Sequence, residues 1–274
     1  MTMNWRAIRA IVRKDLKQVV ANKMIWLPMI IVPLILQVVM PLIMILMPTW
    51  VGAEEFSNED FSELLVILPE HFRADLIGLD GIQQWIFMSA NYMFAPLFLV
   101  VPMMVSSILG SDSFAGEKER KTLEGLLYTP LTDTELFLAK LLTSLVPALV
   151  ITFGSFLLYG VVVNLAGYHA MGRIYFPTAI WWPLVFWVGP AASVAGLGAT
   201  VLISSKAKSF VQTQQLSGTL VLPVVFLMIG QISGLFFLGP MLLIGMGFGV
   251  WLVGIWLVWI GAKTFSRGEL VVRL

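Results

Sequence analysis

Six stretches of nearly uninterrupted apolar sequence, at residues 24–47, 85–109, 137–163, 179–203, 215–238 and 241–262, dominate this chain. A helix needs about 20 apolar residues to cross a hydrocarbon core about 30 Å thick, and each stretch meets that length. A surface helix of a soluble protein keeps one polar face, whereas these stretches are apolar all round. Charged residues make up 12% of the chain, roughly half of what a soluble domain carries, so a soluble fold is excluded. The expected class is an all-α integral membrane protein: six transmembrane helices in a single transmembrane domain over residues 1–274. The first stretch is too long for a signal peptide and has no small-residue cleavage site, so it reads as a retained span.

Orientation follows from the basic residues, which concentrate on the cytoplasmic side of membrane proteins. With the N-terminus inside, the alternating segments place 15 of the 17 Lys and Arg residues on the cytoplasmic side, leaving only Arg73 and Arg173 outside. Six spans with both termini inside preserve that alternation. Span five is the exception in clarity, because only Gly239 and Pro240 separate it from span six. A re-entrant hairpin over residues 230–240 is the alternative to a fifth span, since broken backbone is tolerated in lipid where protein or water covers it. Prolines recur inside the stretches, at Pro28, Pro33, Pro41, Pro96, Pro102, Pro147, Pro183, Pro190 and Pro223. Small residues at Gly189, Ala192, Gly196 and Ala199 predict close helix packing along span four.

Outside the spans, residues 1–23 contain an amphipathic helix from about residue 4. Trp5, Ile8, Ile11, Val12, Leu16 and Val19 recur at helical spacing, with Arg6, Arg9, Arg13, Lys14 and Lys17 between them. Such a helix lies in the headgroup layer, held by its apolar face and by anionic lipid. Residues 48–84 form an acidic extracytoplasmic loop; Ser57 and Asp60 resemble a capping box, with apolar stripes at Phe61, Leu64, Leu65 and Leu68 and then at Phe72, Leu76 and Ile77. The aromatics Tyr168, Tyr175, Phe176, Trp181 and Trp182 around the next outer loop read as an interfacial belt.

Several chemistries lack their residues. There is no cysteine, and the two histidines, His71 and His169, have no partner constellation for a metal or catalytic site. No Asp, Glu, Lys or Arg sits in the middle of a span, and Gln37, Ser89, Asn91, Thr152, Ser155 and Ser193 are the deep polar groups. Proton-coupled transport usually needs buried ionisable side chains, so a secondary transporter is the weaker reading. The chain has no Walker-type phosphate loop and is expected not to be an enzyme itself.

The cytoplasmic loop between spans two and three, residues 110–136, carries the most information. A charged helical extension with Asp112, Glu117, Glu119 and Arg120 comes first. Thr122 to Tyr128 then predicts a short amphipathic helix with Leu123, Leu126 and Leu127 on one edge, stopped by Pro130. Thr132 or Asp133 caps the helix that becomes span three, with Glu135 in its first turn. An apolar edge flanked by charge suits docking into a groove.

The pattern Phe114-x-x-Glu117-x-Glu119-x-x-Thr122-Leu123-Glu124-x-x-Leu127-x-Thr129-Pro130-Leu131, followed by Lys140, resembles the signature of type-2 ABC exporter permeases, a group that includes the NatB-like and drug-exporter permeases. Lys121 departs from it, standing where glycine is frequent. The resemblance implies that residues 110–136 hold a coupling helix seated in a cleft of a separate cytoplasmic ABC ATPase subunit. By position, Glu117, Glu119, Thr122, Leu123, Glu124 and Pro130 would form that contact, with the N-terminal helix as a second one. It implies no cofactor on this chain and ATP and magnesium on the partner ATPase. It also implies a second permease copy, as a homodimer or related heterodimer, and a prokaryotic plasma membrane location. The function so implied is a permease subunit of an ATP-driven exporter, working by alternating access. The apolar, methionine-rich spans favour a hydrophobic or amphipathic cargo such as a drug, lipid or peptide. The alternative within the class is a sodium-extruding permease. Besides the ATPase and a second permease, membrane lipid is the expected contact, and nucleic acid is not.

Overall fold

The computed structural model describes residues 3–52, 56, 70–120, 122, 131–207, 209–233, 235 and 237–264. Among them are six helices long and apolar enough to cross a membrane. A helix α1 (Trp5–Ala21) precedes them. The first span is α2 (Lys23–Val51), and a short helix α3 (Glu70–Leu76) comes after it. The remaining spans are α4 (Gly81–Glu119), α5 (Asp133–Met171), α6 (Trp181–Lys206), α7 (Phe210–Gln231) and α8 (Pro240–Thr264). The chain is therefore an all-helical, multi-pass membrane protein. α7 runs on through a 3-10 turn at Thr219–Val221, just before Pro223, and is long and apolar enough to cross.

α4 is the centre of the bundle. In its most apolar stretch 78% of residues are buried within the chain, against 17–56% for the other spans. It packs on α2, α5, α6 and α7, and α6 in turn packs along α8. Two glycines of α6 mark close approaches to its neighbours. A Cβ on Gly196 of α6 would lie 3.0 Å from the Met103 carbonyl oxygen and 2.9 Å from Ser106 Oγ of α4. A Cβ on Gly198 would lie 2.8 Å from Leu257 Cβ and 3.0 Å from the Val258 nitrogen of α8. Without an apolar-to-water gradient between them, membrane helices associate by this kind of close packing. Of the small residues expected to matter in span four, Gly196 does; Gly189 meets only ordinary contacts.

The prolines sit beside widened turns. In α2 a π turn at Ile35–Val39 lies between Pro33 and Pro41, and the Met40 N–H returns to the Ile35 carbonyl. In α4 a π turn at Ser89–Met93 precedes Pro96, and in α6 one at Leu184–Val188 comes directly after Pro183. A proline leaves a carbonyl without its usual donor, and widening the adjacent turn is one way the ladder adjusts around the defect. A fourth π turn, Asp112–Gly116 near the end of α4, has no proline beside it.

The loop after α5 differs from the expected belt. Tyr168 and Trp182 are exposed, but Tyr175, Phe176 and Trp181 are buried. α5 stops at Gly172, whose φ of +64° suits glycine. The chain then folds inward onto two asparagines. Asn164 Oδ1 accepts from the Tyr175 and Phe176 amides at 3.1 and 3.2 Å, and Asn91 Oδ1 accepts from the Thr178 amide at 3.3 Å. Trp181 Nε1 donates to the Asn91 carbonyl at 3.0 Å. Buried backbone needs partners, and here the asparagines supply them, so the aromatics become core. Of the stripe at Phe72, Leu76 and Ile77, the first two are buried and Ile77 is exposed. The stripe expected at residues 61–68 lies outside the described residues.

Gly196→Val is expected to lower the unfolding midpoint of the solubilised protein, with overpacking costing about 1–3 kcal/mol. Gly154→Ala, where a Cβ meets open space, should cause no loss. Thermal unfolding followed by circular dichroism compares the two.

Candidate functional site

The ends of α4 and α5 that flank residues 121–131 meet α1 and the start of α7. Lys14, Lys118, Lys140, Lys206 and Lys263 make this the basic end of the bundle. α4 and α5 are each 39 residues long, about 58 Å if straight. They therefore continue well beyond the thickness of a hydrocarbon core.

Thr132 caps α5. Its side chain accepts from the Glu135 amide at 3.3 Å, and Glu135 Oε2 accepts from the Thr132 amide at 2.9 Å. The sequence left the cap to Thr132 or Asp133; Thr132 takes it, and with Glu135 it closes a capping box. The other oxygen, Glu135 Oε1, accepts from the Asn4 amide at 2.7 Å and so ties the start of α5 to the start of α1. Beneath that tie, Ile8 and Ile11 of α1 pack with Phe114 of α4, Leu131, and Leu136 and Phe137 of α5.

α1 is turned differently from its sequence pattern. Its buried positions are Ile8, Ile11, Asp15 and Val19, all facing protein, while Trp5 is exposed. A second, outward strip of Val12, Leu16 and Val20 lies between Arg9, Arg13 and Lys17. The apolar stripe read as a single lipid-facing edge is divided between protein and surroundings.

Asp15 enters a buried charge cluster. Glu117 of α4 is buried; its Oε1 lies 3.2 Å from Lys14 Nζ, and its Oε2 accepts from Lys140 Nζ. Lys140 is fully buried in α5, donates to the Ser113 carbonyl at 2.6 Å, and lies 5.7 Å from the centre of the Phe114 ring. Buried ions are tolerable when paired and hydrogen-bonded, and removing one partner of such a pair costs about 3–5 kcal/mol. Lys14 is also 3.2 Å from Asp15 Oδ1, but no donor is aligned with either Asp15 oxygen. Burial pushes the Asp15 carboxyl above its ordinary range and the Glu117 charge adds to this, against the pull of Lys140 and Lys14.

The remaining charges at the base of the loop are also placed. Asp112 Oδ1 accepts from Arg120 Nη1 at 2.8 Å. Glu119 is exposed, and its Oε2 accepts from the Phe210 amide at 2.8 Å, at the first turn of α7. Helix N-termini leave amides without partners and favour negative charge, so this contact satisfies one of them. Thr122 donates from its amide to the Glu117 carbonyl at 3.0 Å, closing the end of α4.

Of the six residues assigned by position to a partner contact, Glu117 is directed into the chain and Glu119 bridges to α7. Thr122 is exposed, and Leu123, Glu124 and Pro130 lie outside the described residues, as does the expected helix at Thr122–Tyr128. The π turn explains Glu117: one extra residue in a turn rotates the next residues by about 100° relative to a regular helix. Residues 112–117 are all buried, continuing the buried run of 105–111. Sequence reading missed Lys14 and Asp15. An acidic residue on the Ile8–Ile11–Val19 face was the available signal for Asp15.

Asp15→Asn is expected to raise the unfolding midpoint, because leaving a buried carboxylate without donors costs about 1–3 kcal/mol or more. A raised folded pKa destabilises above that pKa and has no effect below the unfolded value near 3.8. The gain from Asn should therefore be absent below about pH 3.8 and grow as pH rises from there toward the raised pKa. Thermal unfolding over a pH series checks both.

The sequence of the chain matches the family model described as ABC-2 family transporter protein over residues 9–247. No curated protein and no solved structure gives a significant match. The match takes in α2 to α7, the first turns of α8, most of α1 and the whole charge cluster. With six helices long and apolar enough to cross a membrane, among the described residues, the chain belongs to the ABC-2 transporter family and is the membrane permease of an ABC transporter.

Proposed function

We propose that this permease is driven by a separate cytoplasmic ABC ATPase and moves a hydrophobic or amphipathic substrate out of the cell. Permeases of this family normally work with such an ATPase subunit. The observation that supports this reading is where α4 ends and α5 begins: both lie at the basic end, on two helices long enough to continue beyond the hydrocarbon. The excess of Lys and Arg at this end supports a cytoplasmic location. The loop between these helices is then offered to a soluble partner, with Thr122, Leu123, Glu124 and Pro130 as its contact residues. ATP and magnesium belong to that partner.

The lipid contact of α1 is its outward strip of Val12, Leu16 and Val20, where Arg9, Arg13 and Lys17 suit anionic headgroups. Paired permeases, as two identical or two related chains, provide the two halves of the path. The deep polar groups of the spans are amides and hydroxyls, many already bonded within the chain. Thr152 donates to the Ala148 carbonyl at 2.7 Å and Ser193 to the Gly189 carbonyl at 3.2 Å. A path without mid-span charge suits an apolar cargo better than a proton or a free ion.

Purification of the tagged permease from its own cells, with a search for a co-purified ABC ATPase subunit, is the direct test. Leu123→Asp should reduce the co-purified ATPase and the ATP-driven transport at least tenfold, and Glu124→Ala should weaken both. The reading fails if no ATPase subunit binds the wild-type chain, or if both variants transport normally.

A further inference from the structure

Two carboxylates at the end of α4 serve different parts of the bundle. Glu117 is buried and joins Lys14 of α1 to Lys140 of α5. Glu119, two residues on, is exposed and holds the first amide of α7. Successive helix positions lie about 100° apart, so residues two apart point to nearly opposite sides. The base of the loop thus has one anchor on each side. The two anchors differ in kind: the first is a buried carboxylate paired with the enclosed Lys140 and the half-exposed Lys14, the second a single charge-assisted bond at the surface.

We infer that Glu117 and Glu119 are positioning residues that divide the motion of the loop between two sets of helices. Glu117 ties the loop base to α1 and α5, so these three move as one body. Glu119 ties it separately to the start of α7. Displacement of the end of α4 reaches α1 and α5 through a stiffer joint and α7 through a weaker one that can open. The neighbouring ion pair, Asp112 with Arg120, lies within the loop base itself and braces it without reaching either set. The role in transport rests on the proposed coupling to an ATPase, but the division of contacts does not.

The chain contains no cysteine, so spin labels can be introduced in pairs without background. One pair at Lys118 and Ala10 reports on α1, and a second at Lys118 and Val211 reports on α7. Distances are measured by pulsed electron resonance in the permease alone, reconstituted in lipid. Glu117→Gln should broaden and lengthen the α1 distance by several ångström and leave the α7 distance as in wild type. Glu119→Ala should do the reverse. If Glu117→Gln does not yield folded protein, Lys14→Gln, at a half-exposed side chain, removes only the α1 arm and should shift the first distance alone. Equal effects of either variant on both distances overturn the inference, and so do unchanged distances.

These measurements need no ATPase, so they stand apart from the assignment of the partner. With the ATPase present, Glu117→Gln should keep ATP hydrolysis and lower the substrate moved per ATP several-fold. Unchanged stoichiometry would remove the role in transport while leaving the structural division intact. Absence of ATPase binding in wild type would instead count against the proposed partner.

Discussion

The pairing of Glu117 with Lys140 fixes the register of the two longest helices. An ammonium group with no exposure cannot be left without an opposite charge, and Lys140 finds one at a single height on α4. Sliding α5 by one turn would strand Lys140 and leave Glu117 only its pairing with Lys14. The same constraint explains why Ser113 offers its carbonyl, why Phe114 lies beside the ammonium, and why α1 crosses here with Lys14. Asp15 is the cost of that crossing: a carboxylate brought into the cluster without a hydrogen bond of its own.

Much of the fold was legible because lipid imposes a blunt rule. Spans must be long and apolar, and six such stretches appear in sequence and structure at nearly the same places. Thr132 and Glu135 were readable for a similar reason, since a capping box depends on residues three apart and on little else. The inward turn of Glu117 was not readable, because it depends on a π turn with no proline to announce it. Nor was the burial of Tyr175, Phe176 and Trp181, which depends on Asn91 and Asn164, both outside the loop, offering bonds to it. Local patterns carry local structure, while tertiary hydrogen bonds decide where an aromatic side chain ends up.

The candidate site was legible in the same uneven way. The residue types and spacing of the loop marked it as a docking element and led to the family. The pattern alone could not separate residues that face a partner from residues that hold the loop to its own bundle. Glu117, Glu119 and Thr122 lie within five residues of one another and occupy three environments: enclosed, bridging and open. A signature defined by sequence therefore includes residues, such as Glu117 and Glu119, that brace the chain internally.

The π turns in α4 have one more consequence. They lie at Ser89–Met93 and Asp112–Gly116, near either end of the helix, and the stretch between them packs against α6 through Gly196. A π turn holds one residue more than an α turn needs, so α4 carries a spare residue at each end. Passing that residue along the helix would twist the middle stretch like a rod held between two swivels, with both ends still fastened.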